Sequence, residues 1–332
     1  MIDVFYTVDV EVWCGGWQDL DAGFAAGYAR CIDGITSQGA YGVGFQARQL
    51  SEHGLRGVFF VEPLFAGRFG MEPLRCIVAQ IQEAGQEVQL HLHTEWVDES
   101  RTDWLADRRA KRQHLFQFPL ADQQALIAVG RDLLHAAGVE SVSAFRAGNF
   151  GANTDTLRAL SRLGFALDSS VNARHRELWP DLGLEQAADR PFRFGTLFEL
   201  PMTVFDDGTA KPRQVALTAV SVRELEGLLW QAAETGRASF VILAHGFEML
   251  GASPNRLDKT VLRRFQWLCE FLARHRDVFN TRGMGPEVLP SLLRSAGVHE
   301  GGTAPVLAPL RSPWHRTLGR QIEQALRRRH VG

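Results

Sequence analysis

Four cysteines in 332 residues, with no Cys-x-x-Cys spacing, are too few and too scattered for a disulfide framework or a thiolate metal site. Cys14, Cys31, Cys76 and Cys269 therefore read as reduced, mostly structural thiols, which favours a cytosolic setting. No apolar run approaches the roughly 20 residues that span a bilayer. The N-terminus enters a strand pattern directly, with no basic segment leading into a hydrophobic one, so a cytoplasmic protein without a signal peptide is expected. A net charge of −2 and a pI near 6.6 remove the global basic field that nucleic-acid binding requires. No Gly-x-Gly-x-x-Gly turn follows the first strand pattern, which argues against an open dinucleotide-binding sheet. No internal repeat is visible. What remains is an ordinary globular chain, 45% hydrophobic and 22% charged, with ample core for one large α/β domain or two small ones.

Short β-rich runs alternate with amphipathic stretches along that chain. Strands are predicted over 2–12, 56–61, 86–91, 142–146, 166–168, 197–200 and 239–244, and helices over 42–53, 73–84, 122–137, 154–163, 222–235 and 257–273. Several helices stop on glycine, at Gly54, Gly85, Gly138 and Gly164. Seven strands alternating with helices predict a parallel sheet rolled into a closed or nearly closed barrel. Residues 94–119, with Trp96, Trp104, Phe116 and Phe118, read as an elaborated loop over one barrel mouth. The expected division is a catalytic barrel over 1–295, a Pro/Gly-rich linker over 296–313 and a basic amphipathic helix over 314–332. In that helix Trp314, Leu318, Ile322 and Leu326 recur at helical spacing beside Arg316, Arg320 and Arg327, Arg328 and Arg329, a pattern suited to a partner or an acidic membrane surface, or to a helix folded back on the barrel.

The chemically capable residues fall at strand ends. Asp9 and Glu11, two apart in one strand, present their carboxylates from one face. Burying both requires a compensating positive charge, either a metal ion or a proton held by a general acid/base; a solvated strand end is the plain alternative. His91 and His93 end the third strand at the same spacing. With a carboxylate from another strand they make an N,N,O set typical of catalytic zinc, with iron, manganese and cobalt also compatible. Glu95 is a further ligand or a supporting partner. His245 closes the last strand as a ligand, a general acid or a cap, and Arg146 closes the fourth as a clamp on a carboxylate or a plain salt bridge. Asp168 alone reads as a turn or cap. His53, His114, His135 and His175 receive no role. Trp13, Trp96 and Trp104 are packing residues or sugar-stacking surfaces.

Taken in order, these segments resemble the five motifs of the polysaccharide deacetylase family, the NodB-homology group of carbohydrate esterases (family 4), over roughly residues 1–293. Thr-Val-Asp9-Val-Glu11 is similar to the first motif, Gly85 to His93 to the second, Phe145-Arg146-Ala-Gly-Asn-Phe150 to the third, Asp168-Ser-Ser-Val171 to the fourth and Ile242-Leu-Ala-His245 to the fifth. The resemblance implies a distorted TIM-like (β/α)7 barrel and a divalent metal, zinc or else cobalt, manganese or iron. It implies Asp9 as catalytic base held by Arg146, Glu11 with His91 and His93 as metal ligands, and His245 as general acid supported by Asp168. Two departures stand out. Val10 separates acids that the family has adjacent, and the usual His-x-x-x-His would align Glu95 with the second histidine. Glu11, His91 and His93 are preferred over a set with Glu95, because histidines at i and i+2 of a strand share a face. The departures suggest a divergent branch. The expected activity is removal of an N-acetyl group from a sugar or glycoconjugate intermediate, with hydrolysis of a small non-sugar amide or imide, or non-catalytic carbohydrate binding or assembly, as alternatives.

Overall fold

The structure, a computed structural model, describes residues 1–106, 111–179, 190–209, 211–251, 253, 255–297, 308–313, 316 and 320. Its centre is one strongly curled sheet. The strands run in the order Ser239–His245, Ile2–Val10, Gly57–Val61, Glu87–Leu92, Ala144–Ala147, Leu167–Asp168, Leu197–Glu199, all parallel, with Phe192–Phe194 added antiparallel at the far edge. Residues 200–209 and 211–217 lie between the last strands. Met202 N–H reaches the Val171 carbonyl, Val215 N–H that of Thr203, and Val215 and Leu217 exchange hydrogen bonds with Leu243. The sheet is thus an incomplete parallel barrel, the architecture that the alternation of strands and helices predicted.

Strand alternation decides which side chains reach the interior. Along the first strand Val4, Tyr6, Val8 and Val10 belong to the large core beneath the helices, whereas Phe5 joins the small inner core with Val58, Phe60, Ala144, Leu167, Phe198 and Val241. Thr7, Asp9 and Glu11 continue the inner row above Phe5. Parallel register then levels the chemistry across neighbouring strands: Asp9 pairs with His245, and His91 with Arg146.

The helices lie within two residues of their predicted limits, at Val43–Glu52, Met71–Glu83, Leu120–Ala136, Thr154–Arg162, Val222–Glu234 and Lys259–Arg274. Their glycine stops hold, Gly54 and Gly85 taking φ of 63° and 69°. Several elements escaped the sequence reading, two of them beside the first strand. Phe279–Thr281 adds a parallel strand beside Ile2–Val4, too short to show a period of two. Leu20–Tyr28 is helical despite Gly23 and Gly27, and a Cβ on Gly27 would stand 2.4 Å from the Trp13 carbonyl oxygen. The glycine lets this helix press against the chain that follows Glu11.

In the expected linker, helix Leu289–Ala296 crosses the 295/296 boundary and Leu310–Arg311 pairs with strand Val204–Asp206. The expected C-terminal helix lies outside the described residues apart from Arg316 and Arg320. Among the described residues no helix is long and apolar enough to cross a membrane.

Buried Gln46 fastens the last strand's end to the first. It accepts from the Tyr6 hydroxyl at 2.9 Å and donates to the carbonyls of His245 (2.9 Å) and Gly246 (3.2 Å). Gln46→Leu orphans the Tyr6 hydroxyl and the Gly246 carbonyl at roughly 1–3 kcal/mol each, the His245 carbonyl keeping the Glu248 N–H, so the unfolding free energy is expected to fall by about 2–6 kcal/mol in urea titration. An unchanged midpoint and slope would refute the fastening role.

Candidate active site

Arg146 organises the floor of the barrel mouth. Its guanidinium is fully buried, with Nη1 donating to Asp9 Oδ1 at 2.6 Å and to Thr7 Oγ1 at 2.9 Å. Nε and Nη2 donate to the Ser169 carbonyl and hydroxyl oxygens, each at 3.2 Å, and the Phe60 ring lies 4.4 Å below. Asp9 is therefore clamped through one oxygen, leaving Oδ2 turned toward the mouth, 3.9 Å from His91 Nε2.

Glu11, His91 and His93 converge beside it. Glu11 Oε1 lies 3.0 Å from His91 Nε2 and 2.9 Å from His93 Nε2, while Oε2 accepts from the Trp13 indole at 2.6 Å. The far nitrogen of each ring is already engaged, His91 Nδ1 with the Arg146 carbonyl oxygen at 2.8 Å and His93 Nδ1 with Glu95 Oε2 at 3.3 Å. An imidazole that donates from Nδ1 presents a lone pair at Nε2. Two such lone pairs facing one carboxylate oxygen demand positive charge among them. A divalent cation fits that demand, since the donor atoms of Glu11, His91 and His93 all lie within 4.8 Å of one another. Without a cation, protons supply the charge. Burial pushes the Glu11 carboxyl up, but the two histidines outweigh it and hold it well below the usual range. Burial likewise pulls His93 down, while Glu11 and Glu95 drive it well above its ordinary value. Glu95 thus sits behind His93 rather than beside it, and its Oε1 accepts from Asn149 Nδ2 at 3.3 Å.

His245 faces this group from the neighbouring strand. The expectation that Asp168 supports it is corrected by the structure. His245 Nδ1 is bonded to Glu248 Oε1 at 2.6 Å, three residues along its own loop. Burial lowers the His245 pKa, but Glu248, Glu11 and Asp9 more than offset this and raise it to about 9. Asp168 is unavailable because of strand parity. Leu167 and Phe198 belong to the inner core, which puts their neighbours Asp168 and Glu199 on the reverse face. There Asp168 accepts from Ser170 Oγ at 2.6 Å and lies across the register from Glu199, whose Oε1 accepts from Val171 N–H at 3.0 Å. Burial first, and then the Asp168 charge, push the Glu199 carboxyl well up, so it is the protonated partner.

A pocket of about 740 Å³ opens over these groups, bounded by Trp13, Trp17, His114, Asn149, Phe150, His175 and Gln214. Asn149 and Phe150 hold left-handed backbone, φ 53° and 55°, where the chain turns under the mouth. Trp13 is on the wall, its indole edge-on to His93 at 4.9 Å, while Trp96 is buried against Trp17, Phe65 and Phe69. Trp104 packs against the core from the 94–119 loop. His114 and His175 line the pocket although sequence spacing gave them nothing. Glu62 was also missed: it ends the Gly57–Val61 strand, accepts from the N–H groups of Leu64 and Phe65, and is pushed by burial to about 8. An acid closing the run Gly-Val-Phe-Phe-Val was its available signal. A second hollow, about 650 Å³ beside Arg223, Trp230 and Arg316, contains none of these residues.

No family model and no curated protein matches the chain. Among solved structures it is similar to a Mycobacterium smegmatis protein described as a polysaccharide deacetylase, at 19% identity and TM-score 0.46 over 86% of this chain and 93% of that one. It is also similar to a family 4 carbohydrate esterase from Streptomyces lividans in complex with acetate, at 13% identity and TM-score 0.41 over the same shares. A Bacillus subtilis peptidoglycan deacetylase aligns at 10% identity and TM-score 0.39, over 89% and 90%. Likenesses this distant carry no argument about activity, which has to come from the side chains themselves.

The acid pair away from the pocket makes stability pH-dependent in a definite direction. Glu199 titrates near 4.5 when unfolded and well above that when folded. Its contribution is complete below about pH 4.5 and is lost as pH rises through the folded value. Glu199→Gln keeps an acceptor for Val171 and a donor for Asp168 without titrating. Its stability relative to the parent is expected to increase as pH rises above about 5 and to level off once the folded Glu199 has ionised, in urea titrations. A pH-independent difference would show that the pair does not share a proton.

Proposed function

We propose that the chain is a hydrolase of carbon–nitrogen bonds that removes an N-acetyl group from a sugar or glycoconjugate intermediate. The observation that carries this reading is Asp9, clamped through one oxygen by Arg146 at 2.6 Å and set between the Glu11, His91 and His93 cluster and His245. A base, an acid and a Lewis-acid site on three sides of one pocket is what amide hydrolysis requires. A divalent cation held by Glu11, His91 and His93, zinc or else cobalt, manganese or iron, would supply carbonyl polarisation and an acidified water.

The protein's own residues do the rest. Asp9 takes the proton of the attacking water on Oδ2, and Arg146 keeps the carboxylate aimed. His91 and His93 are held in orientation through Nδ1 by the Arg146 carbonyl and by Glu95. His245, protonated at neutral pH, delivers a proton from Nε2 to the departing amine, which is too basic to leave as an anion. Trp13, Phe150 and His175 offer flat surfaces suited to the apolar face of a sugar ring. A pocket of about 740 Å³ with such walls favours a sugar over a small amide or imide. The free thiols Cys14, Cys31, Cys76 and Cys269 accord with a cytoplasmic substrate.

Acetate release from an N-acetylated chito-oligosaccharide is expected to stop on chelation and return with zinc. Asp9→Asn should retain one equivalent of zinc by elemental analysis while turnover drops by about 10²–10⁴-fold, the usual worth of a general base. A near-normal rate in this variant would reject the base assignment. Failure of the purified parent to take up any divalent metal would reject the hydrolase reading and favour a non-catalytic binding protein.

A further inference from the structure

We infer that Glu248 is the positioning residue for His245, holding the ring so that Nε2 faces the pocket and Nδ1–H stays on the protein. The inference deepens the hydrolase reading and rests on it for the word positioning, though the pairing itself stands on geometry. His245 and Glu248 meet at 2.6 Å, and Glu248 is buried to 7% exposure while the imidazole keeps 28% of its side chain open to the pocket. Glu248 Oε2 has no other hydrogen-bond partner. A buried carboxylate with one short bond, to one ring nitrogen, is committed to that ring.

The loop is built to present the pair. Gly246 N–H donates to the Asp9 carbonyl at 3.0 Å, and Glu248 N–H to the His245 carbonyl at 3.2 Å, closing a turn directly after the strand. A Cβ on Gly246 would stand 2.6 Å from the Cys31 carbonyl oxygen, so only glycine lets the turn lie this low. Gln46 holds the His245 and Gly246 carbonyls from below, and the Phe247 ring stacks on the imidazole at 5.3 Å and 26°. The ring is fixed in plane by Phe247 and in rotation by Glu248. Spacing in sequence does the same work: His245-Gly-Phe-Glu248 places acid and base three apart within one turn.

In the proposed step the carbon–nitrogen bond breaks, its electron pair stays on the amine nitrogen, and that nitrogen takes the Nε2 proton. Neutral His245 then keeps Nδ1–H donated to Glu248. The charged and titratable groups facing His245 are Glu248 from its own loop and Asp9 and Glu11 from the first strand. All three favour imidazolium. Only Glu248 also selects which nitrogen gives up the proton.

The test uses the full-length, zinc-loaded protein with ¹⁵N-labelled histidine. The parent is expected to show a strongly downfield, exchange-protected Nδ1 proton assigned to His245 by its loss in His245→Gln. Glu248→Gln should shift that signal upfield and move the alkaline limb of the kcat profile down by about 1–3 pH units, as removal of an adjacent opposite charge does. With an N-acetylated chito-oligosaccharide as probe, kcat should fall by roughly 10²-fold with KM within threefold, and Glu248→Asp should recover part of the loss. Asp168→Asn should leave the His245 signal in place. The inference is overturned if the parent lacks the protected Nδ1 proton, if Glu248→Gln leaves signal and profile unmoved, or if Asp168→Asn abolishes the signal. A parent that releases no acetate from any probe sinks the deacetylase reading instead, and the NMR outcome still decides the pairing.

Discussion

A single buried guanidinium ties the site together. Arg146 is out of water entirely, and removing such an ion from solvent costs several kcal/mol unless its donors and charge are satisfied. Satisfaction here comes from two strands and a ring: Asp9 and Thr7 on the first, the Ser169 carbonyl and hydroxyl just past Leu167–Asp168, and the Phe60 face. The guanidinium can be paid for only if these elements sit at one height. Parallel register provides that height, and the same register brings Asp9 level with His245 and His91 level with Arg146. The constraint that makes Arg146 tolerable is therefore the one that gathers the chemistry.

Much of this was legible before any coordinates. A period of two in the first and third strands separates Val4, Tyr6, Val8 and Val10 from Asp9 and Glu11, and Leu90 and Leu92 from His91 and His93. Parity of that kind survives folding because a slip of one residue would exchange core for lumen along the whole strand. Long amphipathic helices with glycine stops are similarly robust. The choice of His93 over Glu95 as the residue facing Glu11 also followed from parity alone, and Glu95 falls behind His93 because the chain leaves the strand at Thr94 and turns into Thr94–Trp96.

Parity also explains what was misread. Asp168 was placed by motif order, but its strand is two residues long, too short for alternation to be seen in the sequence. Its face is set by Leu167, which the inner core claims, and by Glu199 across the register. Glu248 lay hidden for the opposite reason. It belongs to no strand, and its reach to His245 depends on the turn that Gly246 makes against Cys31, a tertiary contact with no signature in local spacing. His114 reaches the pocket just before the short turn Leu115–Gln117 and His175 within the short 3-10 segment Ala173–Leu178, neither long enough to show a periodicity.

The balance of charge gives the strongest argument for what the site is for. Asp9 has a dedicated cation in Arg146, and Glu248 has His245. Glu11 has none of its own: it faces two imidazoles whose other nitrogens are spent on the Arg146 carbonyl and on Glu95. Those two bonds hold the rings with Nε2 turned toward Glu11. Positive charge at this point is supplied by protons or by a cation, and only a cation makes use of two Nε2 lone pairs and a carboxylate oxygen aimed at a common centre. Whichever carrier supplies it, that positive charge lies beside Asp9 and His245, within reach of both.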